Sequence, residues 1–229
     1  MSASTDPDTS TSRRRMLRAG AMALTLPLLT PLRALAAAPL CVVRPAQTEG
    51  PFFIDRRLER SDIRSDPGDG IPRPGVPLSL ALRIGHIDGD GCAPLGGAIV
   101  DLWQSDAAGA YSGVRDSLAF LRGFQRSDGE GMVRFLTIVP GAYPGRAVHI
   151  HFKVRSQLDD GRRHEFTSQL YFDDALIDVV HTDPAYGGRR WRRNAEDGIF
   201  RRGGGQDLLL EVRESDDGLA ARFELGLVV

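Results

Sequence analysis

The stretch that most limits what this chain can become is Gly141-Ala142-Tyr143-Pro144-Gly145-Arg146-Ala147-Val148-His149-Ile150-His151-Phe152-Lys153-Val154. From Val148 onward apolar and polar residues alternate without a break, which is the period-two pattern of a half-buried β-strand. Successive strand side chains leave opposite faces, so Val148, Ile150, Phe152 and Val154 share a core face. His149 and His151 then stand side by side on the other face, with the phenol of Tyr143 six residues before the first. Two imidazoles and a phenol so placed suggest part of a metal site. The plainer alternative is that the histidines are simply the wet face of an amphipathic strand.

The surrounding sequence decides the fold class. Leu78 to Ile84 alternates, followed by turn residues at Asp88-Gly89-Asp90-Gly91; Ala98 to Trp103 is a second strand. Asp106-Ala107-Ala108-Gly109-Ala110-Tyr111 turns into a short extended piece, and Ser127-Asp128-Gly129-Glu130-Gly131 turns into a strand over Met132–Ile138. Further strands are predicted at Glu165–Phe172, Asp207–Arg213 and Leu219–Val229, and one short helix at Asp173–Val180. Pro45 to Phe53 reads as an ordered loop whose paired aromatics anchor it. Arg56 to Gly75, rich in charge, Gly and Pro, is long for a structureless loop and predicts a lid or a wrap around the domain. Short strands, frequent turns and no amphipathic helix of three turns predict an all-β fold, an antiparallel β-sandwich with long irregular loops and little helix. Residues 37–229 form one such domain in this reading.

Residues 1–36 are set apart. The run Ser12-Arg13-Arg14-Arg15-Met16-Leu17-Arg18, the apolar stretch Ala19–Leu29 and Ala34-Leu35-Ala36 read as a basic region, a short hydrophobic core and an A-x-A cleavage signal. Pro27 and Pro31 break the apolar run, which is too short to span a bilayer. The paired arginines resemble a twin-arginine export signal, implying a periplasmic or secreted protein with no membrane attachment after cleavage. An oxidising compartment favours joining the two cysteines, Cys41 and Cys92. Closing that loop of about 50 residues stabilises the fold by roughly 4 kcal/mol in the chain-entropy model. A formal net charge of −1 gives no electrostatic reason to bind nucleic acid. Lys153 is the only lysine, and the cluster Arg189-Arg190-Trp191-Arg192-Arg193 with Arg201-Arg202 reads as a solvated loop balanced by nearby acids.

A phenol titrates near pH 10, so a ligating tyrosine must be deprotonated by the metal itself. Fe(III), a hard and highly charged ion, suits phenolate and imidazole donors. Zinc prefers His, Cys and carboxylate, and a ferrous oxygenase wants two His and one carboxylate. At this point the residues resemble a family, the intradiol ring-cleavage dioxygenases (catechol 1,2-, hydroxyquinol 1,2- and protocatechuate 3,4-dioxygenases). Four segments carry the resemblance: Asp101-Leu102-Trp103-Gln104 through Tyr111, Pro140-Gly141-Ala142-Tyr143-Pro144, the Arg-x-x-His-x-His-Phe run from Arg146 to Phe152, and Phe166-Thr167-Ser168-Gln169-Leu170-Tyr171-Phe172.

The resemblance implies that Tyr111, Tyr143, His149 and His151 hold a non-haem Fe(III), with Tyr143 the phenolate that a catechol-type substrate displaces. It implies a fixed positive charge from Arg146, an orienting amide from Gln169, and a pocket wall from Phe52. The implied reaction inserts O2 between the two hydroxylated carbons to give a cis,cis-muconate-type diacid. His86, His164 and His181 match nothing in the pattern and read as loop or surface residues. Only two residues separate Tyr143 from Arg146, a shorter link than in the catabolic enzymes, which predicts a more open site for bulkier catechols. Assembly into a homo-oligomer is left open. The competing readings are an exported metal-free β-sandwich binding module of prealbumin type and, third, a zinc hydrolase.

Overall fold

The described residues of the protein, seen in a computed structural model, are 42–89, 91–157, 161 and 163–228. The expected leader at 1–36 and Cys41 lie outside them. Among the described residues the strands are β1 (Pro77–Asp88), β2 (Gly91–Pro94), β3 (Ile99–Trp103), β4 (Arg122–Arg126), β5 (Met132–Ile138), β6 (His149–Gln157), β7 (Arg163–Tyr171), β8 (Glu211–Ser215) and β9 (Gly218–Val228). Two short helices, α1 (Asp174–Val180) and α2 (Gly198–Arg202), and three single 3₁₀ turns lie between β7 and β8. Among the described residues no helix is long and apolar enough to cross a membrane.

The strands make two sheets, one in the order β2-β1-β9-β8 with β5 also on β1, the other in the order β4-β3-β6-β7. The expected sandwich is there, and among the described residues every pairing of these strands is antiparallel except one: β9 runs parallel to β1, from Leu78 beside Leu219 to Ile87 beside Val228. A parallel neighbour needs a crossover, and the whole of the second sheet serves as that connection. Leu78, Leu80, Leu82, Ile84, Phe223 and Leu225 of the first sheet face Val100, Leu102, Ile150, Phe152 and Val154 of the second in one buried core. Phe152 meets Phe223 across the layer with ring centroids 5.8 Å apart.

The expected half-buried strand is in fact β6, and it is covered on both faces. Residues 45–55 cross the face that carries the histidines. Gln47 N–H donates to Thr167 O, Asp55 pairs with Arg155 at 3.1 Å, and Glu49 pairs with Lys153. Phe53 packs on Trp103, with the Lys153 ammonium 4.3 Å from its ring centre. The segment from Arg56 to Gly75 is a wrap. Glu59 bridges to Phe124 on β4 and Asp62 to Leu136 on β5, so one strap stitches the open edges of both sheets, with Ile63 fully buried beneath it.

Three local expectations are corrected. The strand drawn over Asp207–Arg213 divides into a 3₁₀ turn at Gly205–Leu208 and β8, because Leu208 and Leu210 are drawn into the core. His86 and His164 lie on β1 and β7 rather than in loops. His181 is buried: it stacks on Tyr186 at 4.4 Å and its Nε2 reaches Pro140 O at 3.1 Å, while the Tyr186 hydroxyl donates to Val139 O at 2.9 Å. The pair therefore pins the chain just before Gly141. The basic cluster is exposed, as expected, with Arg193 paired to Asp178 at 2.8 Å.

Candidate metal centre

Strand register puts the candidate residues into rows on the outer face of the second sheet. Trp103 of β3 pairs with Arg122 of β4 on one side and His151 of β6 on the other, and His151 pairs with Gln169 of β7. Cross-strand partners share a face, so Arg122, Trp103, His151 and Gln169 form one row. The next row sets His149 beside Tyr171. The Trp103 ring lies flat on the His151 imidazole, 5.0 Å away and 8° from parallel, which fixes the plane of that ring.

The two tyrosines come from loops at the same end of the sandwich, one after β3 and one after β5. These loops are joined backbone to backbone. Gly141 N–H donates to Asp106 O at 3.0 Å, and the Ser105 hydroxyl donates to Gly141 O at 3.0 Å. A Cβ on Gly109 would lie 2.1 Å from Ala142 O, and one on Gly141 would lie 2.2 Å from Ala107 O. Only glycine permits such an approach, and Gly109 also has φ +81°, in the left-handed region. The result is a Tyr111 ring 5.6 Å from the Tyr143 ring, edge to face.

Tyr143, His149 and His151 present their donor atoms to one another. Tyr143 Oη is 3.0 Å from His149 Nε2, which is 3.1 Å from His151 Nε2. His149 Nδ1 lies 2.7 Å from Ala147 O, so that nitrogen carries the hydrogen and the Nε2 lone pair is left facing the centre. With no ion present the contact is a hydrogen bond from His151 Nε2–H to His149 Nε2; with both Nε2 atoms deprotonated, the same two nitrogens and the Tyr143 oxygen converge on one point. The Tyr111 hydroxyl is buried and no group among the described residues meets it with the distance and angle of a hydrogen bond, although the Tyr143 hydroxyl is near enough to add to burial in raising its pKa. Desolvation holds the His149 imidazolium pKa down to about 3 and that of His151 well below the ordinary value, so both rings are neutral at pH 7. Burial raises the pKa of both phenols, which makes a strongly polarising ion necessary to ionise them. Among the described residues no three His, Cys, Asp or Glu side chains gather as a metal site. The donor set fits ferric iron and departs from a zinc set.

Arg146 stands beside these donors, its Nη1 3.3 Å from both Tyr143 Oη and His149 Nε2. Its Nε donates to Asp197 Oδ2 at 2.9 Å and its Nη2 to Gln169 Oε1 at 2.5 Å and Tyr171 Oη at 3.3 Å. Asp197 is 1% exposed and also accepts from Ala147 N–H; burial opposes its charge, but these bonds and Arg146 outweigh it and hold its carboxyl below the usual range. Gln169 is expected to orient the ring or to hydrogen-bond the reacting centre. Here both ends of its amide are engaged, since Nε2 donates to Thr48 O at 3.0 Å, so it holds Arg146 in place. Phe52 stacks on Tyr111 with centroids 4.3 Å apart. Tyr171 and Asp197 were not among the expected site residues. Asp197 lies far along the chain from Arg146 with no local motif; Tyr171, opposite His149 in the register, could have been found by extending the strand alternation. Cys92 is disulfide-bonded, and Cys41, its expected partner, lies outside the described residues.

These buried neutral imidazoles set a pH dependence. His149 titrates near 6.5 when unfolded and near 3 when folded, so below 6.5 the unfolded chain binds the extra proton. Stability is full above pH 6.5 and falls as pH drops from there towards 3. Denaturant melts of chelator-treated protein are expected to lose roughly 2 kcal/mol for His149 between pH 6.5 and 5.

A family model described as Dioxygenase matches residues 48–189, more than half the chain and all four expected ligands. The structure of an intradiol ring-cleavage dioxygenase from Tetranychus urticae superposes with a TM-score of 0.70 at 31% identity, covering 82% of this chain and 94% of that one. The chain belongs to the intradiol ring-cleavage dioxygenase family. A second family structure is the dioxygenase domain of a dioxygenase carbohydrate-binding protein fusion from the cellulolytic bacterium Streptomyces sp. SirexAA-E. It matches with a TM-score of 0.62 at 31% identity, over 82% of this chain and 99% of that one. Chlorocatechol 1,2-dioxygenase of Pseudomonas sp. (strain P51) is 29% identical over 150 residues, 57% of this chain and 55% of its own length. The protocatechuate 3,4-dioxygenase beta chain of Burkholderia cepacia is 33% identical over 113 residues, 43% of this chain and 47% of its own. This dioxygenase-family chain thus spans about half the length of the curated relatives it matches.

Proposed function

We propose that the protein is a non-haem Fe(III) enzyme that cleaves a catechol-type aromatic diol between its hydroxylated carbons with O2, giving a cis,cis-muconate-type dicarboxylic acid. The observation that carries this reading is the gathering of Tyr143, His149 and His151 around one point, with the unpartnered Tyr111 hydroxyl in the same buried cluster. Ferric iron, if held by these four residues, would supply the Lewis acidity that makes a catechol-type diol reactive towards O2. A metal-free binding module has no use for a phenol buried without a partner, a placement costing about 1–3 kcal/mol.

The four donors differ in freedom. Tyr111 lies under Phe52 and the two histidines are buried, whereas Tyr143 is half-buried next to the exposed turn at Pro144 and Gly145. Tyr143 Oη is therefore the group able to move off and take a proton from an incoming catechol hydroxyl. Arg146 cannot follow it, because Asp197 and Gln169 hold two edges of the guanidinium. Its positive charge stays where negative charge develops on the substrate, without reorganising during the reaction. Arg146→Met is expected to retain stoichiometric iron while kcat falls about 10²- to 10³-fold. Arg146→Lys should recover little of that loss, since an ammonium cannot span the same two partners. Metal analysis alongside steady-state kinetics checks both.

The deciding experiment is an absorption spectrum of protein purified with iron. A visible phenolate-to-iron charge-transfer band is expected; colourless protein, or zinc at unit stoichiometry, overturns the reading. The same proposal includes a preference for bulkier catechols, supported by the exposed, short Pro144–Gly145 turn, and turnover confined to catechol itself would sink that part. It also includes export, supported by the arginine-paired leader and by a disulfide-bonded Cys92, which suits an oxidising compartment.

A further inference from the structure

Arg122 has no part in the scheme above, yet it is only 3% exposed. No carboxylate lies within ion-pairing distance of it among the described residues, an unusual condition for a buried guanidinium. Each of its three side-chain nitrogens instead donates to one of two loops. Nε donates to Ser112 Oγ at 3.0 Å, Nη2 to Ser112 O at 2.5 Å, and Nη1 to Phe52 O at 3.2 Å. Ser112 follows Tyr111 directly, and its hydroxyl goes on to donate to Phe120 O at 2.6 Å. One rigid fork, rooted in β4 and level with His151 in the sheet register, therefore grips the residue after a proposed ligand and the residue stacked on that ligand. Burial and the neighbouring Arg56 charge draw its pKa down to about 10, so the fork keeps its charge at neutral pH.

We propose that Arg122 is a positioning residue of the centre, clamping the Phe52 ring against Tyr111 and so fixing both the orientation of a metal-binding phenol and the aromatic wall that a substrate ring meets. The inference rests on the function proposed above. It adds that this wall and the iron ligand are one mechanical unit: loosening Arg122 changes the electronic environment of the metal and the fit of the substrate together. A lysine carries the charge but cannot reach three acceptors on two loops, so the clamp depends on the planar fork.

The test compares wild type with Arg122→Lys, Arg122→Met and Ser112→Ala. In chelator-treated protein, hydrogen exchange over residues 48–54 and 110–114 is expected to quicken at least tenfold in both segments for the two Arg122 variants, and several-fold for Ser112→Ala. In iron-loaded protein the charge-transfer band should move in all three, with KM for a catechol rising several-fold and kcat changing less. Unchanged exchange in either segment, or an Arg122→Lys protein with the wild-type band and KM, overturns the proposal. Ser112→Ala removes one of the three guanidinium contacts, together with the hydroxyl's bond to Phe120 O, and leaves the guanidinium in place, so it decides the matter if an Arg122 variant fails to fold. A colourless wild type would sink the iron reading alone, because the exchange measurement still judges the clamp.

Discussion

Tyr111→Phe is expected to stabilise the metal-free protein and to destroy its activity. The Tyr111 hydroxyl is buried without a partner, so deleting it removes a desolvation penalty of about 1–3 kcal/mol while the ring stays stacked on Phe52. For a domain of this size that corresponds to a melting temperature about 2–10 °C higher after treatment with chelator. With iron the sign reverses. Wild type should gain stability from the ion, the variant much less, and ring cleavage should fall by at least about 10³-fold because an anionic donor is gone. His149→Ala should lose iron and activity equally but gain no stability, since it opens a cavity and abandons the bond to Ala147 O. Calorimetry with and without iron, beside the visible spectrum, separates the two. If colour persists in both variants, the ligand set is wrong.

The second large effect concerns glycine. Gly109→Ala should destabilise the protein by about 3 kcal/mol or more, because alanine must take a left-handed φ and its Cβ would enter the Ala142 carbonyl. Gly141→Ala meets the same kind of overlap, with Ala107 O, without the left-handed penalty. Comparing the two isolates the close approach from the backbone strain. Both should weaken iron binding more than the stability change alone accounts for, because the loops they separate carry Tyr111 and Tyr143. Urea melts and iron titration measure the two parts. Wild-type iron affinity in the Gly141→Ala variant would show that the loop contact does not set the spacing of the phenols.

Much of the sandwich was readable in advance because its strands alternate. Met132–Ile138 falls where the pattern puts it, and Asp173 caps α1 as a helix-starting aspartate should, accepting from Ala175 N–H at 2.8 Å. β2 and β4 were not readable, being four and five residues long with too little apolar content to show a period. Their pairing comes from neighbours, which a single sequence does not display. In the site, the residues within one motif were legible, since strand alternation puts His149 and His151 on one face and Tyr143 and Arg146 lie in the short loop just before them. Asp197 and Arg122 were not, because what gives each its role is a partner on a distant element. The burial of His181 was missed for the same reason: a histidine in Val-His-Thr-Asp-Pro looks like a turn residue until Tyr186 is found stacked on it.

The parallel pairing of β1 with β9 has a consequence for how the molecule is made. All four strands of the second sheet have left the ribosome once Tyr171 has, but the first sheet lacks its central partner until Val228 is translated, an interval of roughly 3–10 s at ordinary elongation rates. During it, the nascent chain carries a long apolar strand with one bare edge, which readily takes up foreign strands. Asp197, the counter-ion of Arg146, also arrives only in this interval. A stop codon placed before Gly218 would therefore leave the histidine-bearing sheet with its complete set of strands and yet yield an insoluble product.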